Sequence, residues 1–118
     1  METLDLLLGT GDDSLLVTGT HSGATTINSG GGSDIVNVQA TGGVTTVTGG
    51  AGDDQVRVSS DAPAMLTGDL NGITHALTVQ GDEGMDTLRV SDVGDATDDD
   101  GTLSPDQIHG LGNAGAIS

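Results

Sequence analysis

The chain has 118 residues and contains no Phe, Tyr, Trp or Cys, while 21 of its residues are glycine. Its 18 acidic residues outnumber 2 basic ones, which gives a formal net charge of −16 at pH 7. This balance argues against nucleic acid and anionic membranes as partners and favours cations, and the lack of cysteine excludes disulfides and thiolate metal sites.

The core of such a chain has to be built from aliphatic side chains and threonine. A stack of short repeats suits these thin residues, because each repeat buries its apolar face on its neighbours. No apolar run long enough to span a membrane is present, and residues 1–8 lack the charge and length of a signal peptide. We therefore expect either a piece of a larger protein or export without a cleaved amino-terminal signal.

In chain order, a short phrase containing glycine and aspartate occurs four times. The copies are LGTGDDSLL at 8–16, SGGGSDIVN at 29–37, GGAGDDQVR at 49–57 and GDEGMDTLR at 81–89. Each copy places glycines in a tight turn, an aspartate at the exit and an aliphatic residue two places later. The four aspartates are 21, 20 and 32 residues apart, which is the spacing of a repeat architecture.

The flanks of each phrase alternate between apolar and polar residues with period two, which predicts strand, turn and strand with one buried face. The inward positions before the turns are Leu4/Leu6, Thr25/Ile27, Thr45/Val47 and Leu77/Val79, and those after the turns are Leu15/Val17, Val36/Val38, Val56/Val58 and Leu88/Val90. The predicted fold is all-β, a parallel β-solenoid of about five rungs with one glycine turn per rung.

The pattern indicates a single unit over 1–118. Residues 1–58 form regular rungs, 59–75 an inserted loop, 76–91 a fourth rung, and 92–118 an acidic linker with a degenerate terminal rung at 110–114. The inserted loop should lie opposite the glycine turns, either as a tolerated surface loop or as a binding face.

The aspartates and glycines of the turns predict a site for a hard cation. Carboxylates and turn carbonyls supply only oxygen ligands, and a ladder of turns supplies many of them in flexible geometry, which suits calcium better than magnesium. Each ion would lie between successive turns, so that binding would stabilise the fold. The alternative is that Gly-Asp is good turn chemistry that needs no ion. The candidate ligands are Asp13, Asp34, Asp54, Asp86, Asp12, Asp53, Gly9, Gly11, Gly30, Gly32, Gly50 and Gly52.

The phrase GGAGDDQVR resembles the nine-residue G-G-x-G-x-D-x-U-x motif of the RTX (repeats-in-toxin) calcium-binding proteins, whose repeats form a parallel β-roll. The resemblance covers about 4–58 and 77–90. It implies that the four turn aspartates and their glycines bind calcium, with two or three ions expected. The motif occurs once per rung here, so only one edge should hold calcium, and Asp82 and Met85 depart from the motif in the fourth copy.

Other candidate motifs are weaker. The run Asp98–Gly101 suggests an EF-hand loop, but Ala96 and Gln107 occupy two ligand positions, so a solvated linker is the better interpretation. The three histidines, His21, His75 and His109, lack paired metal spacing. No nucleophile elbow or paired-acid cleft is present, so we expect no enzyme activity.

Taken together, these patterns predict a structural function. The RTX resemblance implies a calcium-rigidified spacer module of a larger secreted or cell-surface bacterial protein, adhesin-like, whose partners are calcium, neighbouring repeat units of the same chain and an unidentified adhesive target. One alternative is a module that binds a ligand or ice through 59–74 or through outward Thr columns, namely Thr26, Thr46 and Thr78 beside Asn28, Thr48 and Gln80. Another is an accessory domain that assists export of a neighbouring enzyme.

Overall fold

The computed structural model describes residues 1–104 and 107–118, and these residues form an all-β structure without helices. The described residues include ten strands: β1 Thr3–Leu7, β2 Ser14–Val17, β3 Ala24–Gly31, β4 Ile35–Val38, β5 Thr45–Ala51, β6 Gln55–Val58, β7 Leu77–Glu83, β8 Thr87–Val90, β9 Thr102–Leu103 and β10 Ile108–His109.

Eight of the strands form two parallel sheets that the chain visits alternately. One sheet has the order β1-β3-β5-β7 and the other the order β2-β4-β6-β8. We refer to β1/β2, β3/β4, β5/β6 and β7/β8 as the first to fourth strand pairs. The two strands of a pair are joined by a glycine turn, and looser segments at 18–23, 39–44 and 59–76 join one pair to the next.

The pairing register confirms the predicted columns of inward residues. Leu6, Ile27, Val47 and Val79 are successive partners in the first sheet, and Leu15, Val36, Val56 and Leu88 are successive partners in the second. The middle members of both columns are at most 5% exposed. The predicted alternation therefore places a thin aliphatic core between the two sheets.

The glycine turns stack directly on one another. At Gly30 and Gly50 the backbone has φ values of 102° and 105°, a region that favours glycine. A Cβ added at Gly30 would collide with the Gly9 carbonyl oxygen, and one added at Gly50 would collide with the Gly30 carbonyl oxygen. Both the conformation and the close approach of the turns thus require glycine. In the fourth pair Asp82 takes the place of Gly50 in the register and has φ 74°.

The insertion lies between β6 and β7, on the side of the looser segments as predicted, but it is more than a surface loop. Leu70 and Ile73 are fully buried in the main core cluster, and Met65 is 4% exposed. The Asp61 carboxylate accepts hydrogen bonds from the backbone amides of Thr67 and Leu66, at 2.8 Å each, and these bonds lower the pKa of Asp61. The segment therefore extends the core and carries its own internal bonds.

Residues 92–104 and 107–118 differ from the four regular strand pairs. Strands β9 and β10 pair antiparallel with each other, and within the described residues the parallel sheet continues at Ile117, which bridges to Leu77. Gly110 and Gly112 keep positive φ values, as the predicted degenerate turn requires. Pro105 and Asp106, within this predicted terminal segment, lie outside the described residues. The acidic run at 92–101 lacks the alternating aliphatics that a parallel rung would bury.

Candidate metal centre

The four turn aspartates form a column along one edge of the stack. The Asp13 N–H donates to Asp34 Oδ1 at 2.8 Å, and the Asp34 N–H donates to Asp54 Oδ1 at 2.9 Å. The Asp54 N–H in turn donates to Asp86 Oδ1 at 3.0 Å. The carboxylates of Asp34, Asp54 and Asp86 are thus each held in place by the amide of the preceding turn, and every bond runs in the same direction along the stack.

The two middle aspartates are buried and only half satisfied. Asp34 is 1% exposed and Asp54 is 3% exposed. Their Oδ2 atoms are buried and find no hydrogen-bond partner anywhere in the part of the chain that the structure describes. A buried polar atom without a partner costs about 1–3 kcal/mol, and more when it is charged. The column therefore presents two buried carboxylate oxygens that lack a partner and could contact a cation.

Like charges add to this cost at Asp54. Its pKa is raised, first by burial and then by the negative charges of Asp34, Asp86 and Asp53, while the hydrogen bond from the Asp34 amide opposes the shift. At the strand spacing of about 4.8 Å, two unit charges repel by roughly 3 kcal/mol at an effective dielectric constant of about 20. A bound cation would remove both the repulsion and the unsatisfied oxygens.

The surroundings of these carboxylates combine close-packed backbone with polar and apolar side chains. Asp54 Oδ2 lies against Gly49, and Asp86 Oδ2 lies against Gly81, where an added Cβ would meet the carboxylate. A cavity of about 170 Å³ between the third and fourth pairs is lined by both aspartates and both of these glycines. The lining also contains the apolar side chains of Val56, Val79 and Leu88. Its possible metal ligands are oxygen atoms, which suit a hard cation better than a transition metal.

Asp12 and Asp53 lie on the outside of the turns and are exposed. Asp12 Oδ1 accepts the Ser33 N–H at 2.8 Å, and Asp53 Oδ1 accepts the Met85 N–H at 2.9 Å. These carboxylates also bind the next turn, but through an exposed contact. The predicted set thus divides into a buried column and an outer pair.

The predicted glycine ligands have their carbonyls directed along the stack. The carbonyl oxygens of Gly11 and Gly32 lie against the α-carbons of Gly32 and Gly52 in the following turns, and the Gly9 carbonyl accepts the Gly31 N–H at 2.9 Å. The structure therefore brings the predicted glycines and aspartates to one edge, with several carbonyls already engaged between turns.

A second acidic cluster was missed by the sequence reasoning, which treated 92–101 as a solvated linker. Carboxylate oxygens of Asp92, Asp95 and Asp99 lie within 4.8 Å of one another. The cluster forms because the linker folds back on the insertion, where Asp92 Oδ1 accepts the Leu70 N–H at 3.0 Å. Burial, followed by the charges of Asp95, Asp99 and Asp69, raises the pKa of Asp92. Nothing in the local sequence signals this long-range contact.

The other candidate residues occupy separate places. His21 Nδ1 accepts the Gly23 N–H at 3.0 Å, and His75 Nδ1 lies 3.0 Å from Thr74 Oγ1. Within 1–104 and 107–118 the cluster able to hold a metal contains no histidine. Arg57 and Arg89 are register partners, and Arg57 Nη2 donates to Gln55 Oε1 at 2.8 Å.

The register of the first sheet aligns the outward threonine columns, in agreement with the sequence pattern. Thr26, Thr46 and Thr78 form successive partners, and Asn28, Thr48 and Gln80 form the neighbouring column. Asp5 and Leu7 occupy these columns in the first pair. The regular polar face is therefore three strands wide.

Comparison with family models, curated proteins and solved structures found no match to this chain. Among the residues that the structure describes, no helix has the length and apolarity needed to cross a membrane.

Proposed function

We propose that this chain is a calcium-binding structural module in which the four strand pairs are successive coils of a parallel β-solenoid. Calcium between the glycine turns would rigidify the stack, and the module would serve as a spacer in a larger secreted or cell-surface bacterial protein. Its partners would be calcium and neighbouring repeat units of the same polypeptide, with an adhesive target still to be identified. Catalysis, nucleic-acid binding and membrane insertion are not part of this function.

The observation that carries the proposal is the buried, half-satisfied column of aspartates. The Oδ2 atoms of Asp34 and Asp54 are unpartnered within the described part of the chain, and the flanking carboxylates carry the same charge. Three gaps separate the four turn aspartates, which gives two or three ions per chain. Because each gap exists only when two turns stack, the binding free energy adds to the free energy of unfolding.

The RTX resemblance of GGAGDDQVR supports calcium as the ion and an extracellular setting. Calcium at millimolar levels outside the cell would order the stack, whereas scarce cytosolic calcium would leave it loose before export. The acidic composition agrees with this, since a net charge of −16 opposes compaction until cations neutralise it.

The test is far-ultraviolet circular dichroism of the whole chain in calcium and in chelator. We expect β content, and the urea midpoint of unfolding, to rise on addition of calcium. Magnesium at the same concentration is the control, because it requires stricter octahedral geometry and should have a smaller effect. Identical spectra and identical midpoints in calcium and in chelator would contradict the proposal.

A further inference from the structure

The first strand pair lacks contacts that every other pair receives from the pair before it. Asp34, Asp54 and Asp86 each accept the amide of the preceding turn through Oδ1. Within the described residues no amide donates to the carboxylate of Asp13, although Asp13 holds the same position in its own turn. The polar ladder is therefore open at this end.

The glycines of the first turn show the same absence. An added Cβ at Gly32 or Gly52 would collide with the carbonyl oxygen of the preceding turn. At Gly9 and Gly11, with φ values of 115° and 136°, an added Cβ would have no atom within 4 Å. The first turn thus has the shape of the others, but among the described residues nothing is stacked against the side that faces away from the second turn.

A buried hydroxyl marks the same end. Thr45, in the third pair, has its Oγ1 atom 3.0 Å from the Oγ1 atom of Thr20, which lies in the looser segment that follows the first pair. Thr25 is the register partner of Thr45 and is 3% exposed, yet its Oγ1 has no partner in the described residues. By analogy with Thr20 and Thr45, a threonine in the looser segment of a pair ahead of the first would be placed to partner Thr25.

Apolar side chains of the first pair line a cavity next to the Thr25 hydroxyl. A cavity of about 360 Å³ is lined by Leu4, Leu6, Leu15 and Thr25, and Leu4 is 39% exposed. In the second pair, by contrast, the corresponding Thr25 and Ile27 are at most 3% exposed. β1 is also an edge strand, so the amides that face away from β3 are unpaired.

We propose that the β1/β2 end is a docking edge for one further strand pair of the same repeat, parallel to the first and joined to it in the same polypeptide. The inference rests on the stacked-coil architecture of the proposed function and is independent of calcium. The interface would continue the one already formed between the pairs. An amide of the added turn would donate to Asp13, its carbonyls would abut Gly9 and Gly11, and its looser segment would place a threonine on Thr25.

A second copy of the chain fits this edge less well in a head-to-tail stack, because the β7 edge at the opposite end is already covered, although β8 there is an edge strand. The Leu77 N–H donates to the Ala116 carbonyl at 2.9 Å, and the Val79 N–H donates to the Ser118 carbonyl at 2.6 Å. The outer edge of β7 is therefore occupied, and it cannot pair with β1 of another copy.

The test adds the missing pair to the full chain. Residues 23–42 carry a complete strand pair with its looser segment, and a duplicate of them is inserted between Met1 and Glu2. We expect a higher urea midpoint and at least tenfold slower hydrogen exchange at the outward amides of β1, both in calcium and in chelator. A tenfold change corresponds to about 1.4 kcal/mol.

The matched control is the double substitution Gly9→Ala and Gly11→Ala, made with and without the duplicate. In the chain without the duplicate, the new methyl groups meet no atoms, so the double substitution should cost only the backbone strain of alanine at positive φ. In the chain with the duplicate, the methyl groups would collide with the docked carbonyls and should abolish the gain in urea midpoint and in β1 protection. Unchanged β1 exchange in the chain with the duplicate would overturn the inference, as would a gain insensitive to the double substitution. Protection of β1 in the original chain that grows with protein concentration would also overturn it and would assign the edge to a second copy. Loss of calcium dependence alone would contradict only the proposed function.

Discussion

Replacing Asp54 by asparagine should change stability in opposite directions with and without calcium. Asp54→Asn keeps an Oδ1 that can accept the Asp34 amide, and it replaces the unpartnered Oδ2 by an NH₂ group. That group would face Gly49, close to the Gly81 carbonyl oxygen. The substitution therefore removes a buried charge without removing the hydrogen bond that holds the side chain.

The size of the effect follows from the state of the carboxylate. Without metal, a charged Asp54 cannot destabilise the folded state by more than the free energy needed to protonate it at pH 7. For an ordinary pKa of 3.8 and 1.36 kcal/mol per pH unit, that limit is about 4 kcal/mol. We expect Asp54→Asn to raise the metal-free free energy of unfolding by about 1–3 kcal/mol, the cost of an unsatisfied buried group. With calcium at a hundred times its Kd, each site contributes about 2.7 kcal/mol. Asp54 borders two gaps, so about 5 kcal/mol of calcium binding should be lost, and the net loss in calcium should be about 2–4 kcal/mol once the metal-free gain is subtracted.

The assay is urea unfolding followed by circular dichroism, because the chain has no Trp or Tyr for fluorescence. Asp5→Asn is the control, since Asp5 is exposed on the outer face of β1 and the charge change is the same. Equal shifts for Asp54→Asn in calcium and in chelator would refute the reasoning, as would a shift no different from that of Asp5→Asn.

Three further predictions follow from the same contacts. In chelator, the free energy of unfolding should rise as the pH falls from 7 through the raised pKa of Asp54, because the folded state then binds the proton more readily. Below about pH 3.8 the free energy of unfolding should fall again, because Asp61 has a lowered pKa and its contribution is lost on protonation. Urea unfolding at a series of pH values would check both the rise and the fall, and a monotonic decline from pH 7 would contradict the predicted rise. Gly32→Ala should cost about 1–3 kcal/mol more than Gly11→Ala, because both positions have positive φ but only the alanine at 32 meets a carbonyl; equal thermal midpoints would show that the turns do not stack this closely. Leu70→Ala should cost about 2–5 kcal/mol, as expected for a fully buried leucine, and a cost matching that of truncating an exposed leucine in the same segment would show that the insertion lies outside the core.

The strands and turns could be predicted because their signal is local. Alternation with period two around each glycine turn fixed which residues point inward, and the repeat fixed which residues become neighbours. The columns that run through Ile27 and Val36 follow from these two facts alone. The column of Asp34 and Asp54 follows in the same way, because the aspartates hold one position in the repeat.

The parts that could not be predicted depend on contacts outside the repeat. Leu70 and Ile73 are buried because the insertion folds onto the open core, and no periodicity announces this. The cluster that includes Asp92 forms only when the acidic linker meets the same insertion. The antiparallel pairing of β9 with β10 likewise joins short segments that carry no turn motif of the repeat.

The most direct measurement for the account is a calorimetric titration of the metal-free chain with calcium. We expect two or three ions per chain, and fewer for a variant that carries both Asp34→Asn and Asp54→Asn. The Asp5→Asn variant should bind the same number as the parent chain. Absence of binding, or an unchanged number of ions in the double variant, would contradict the claim that the buried aspartate column holds calcium between the turns.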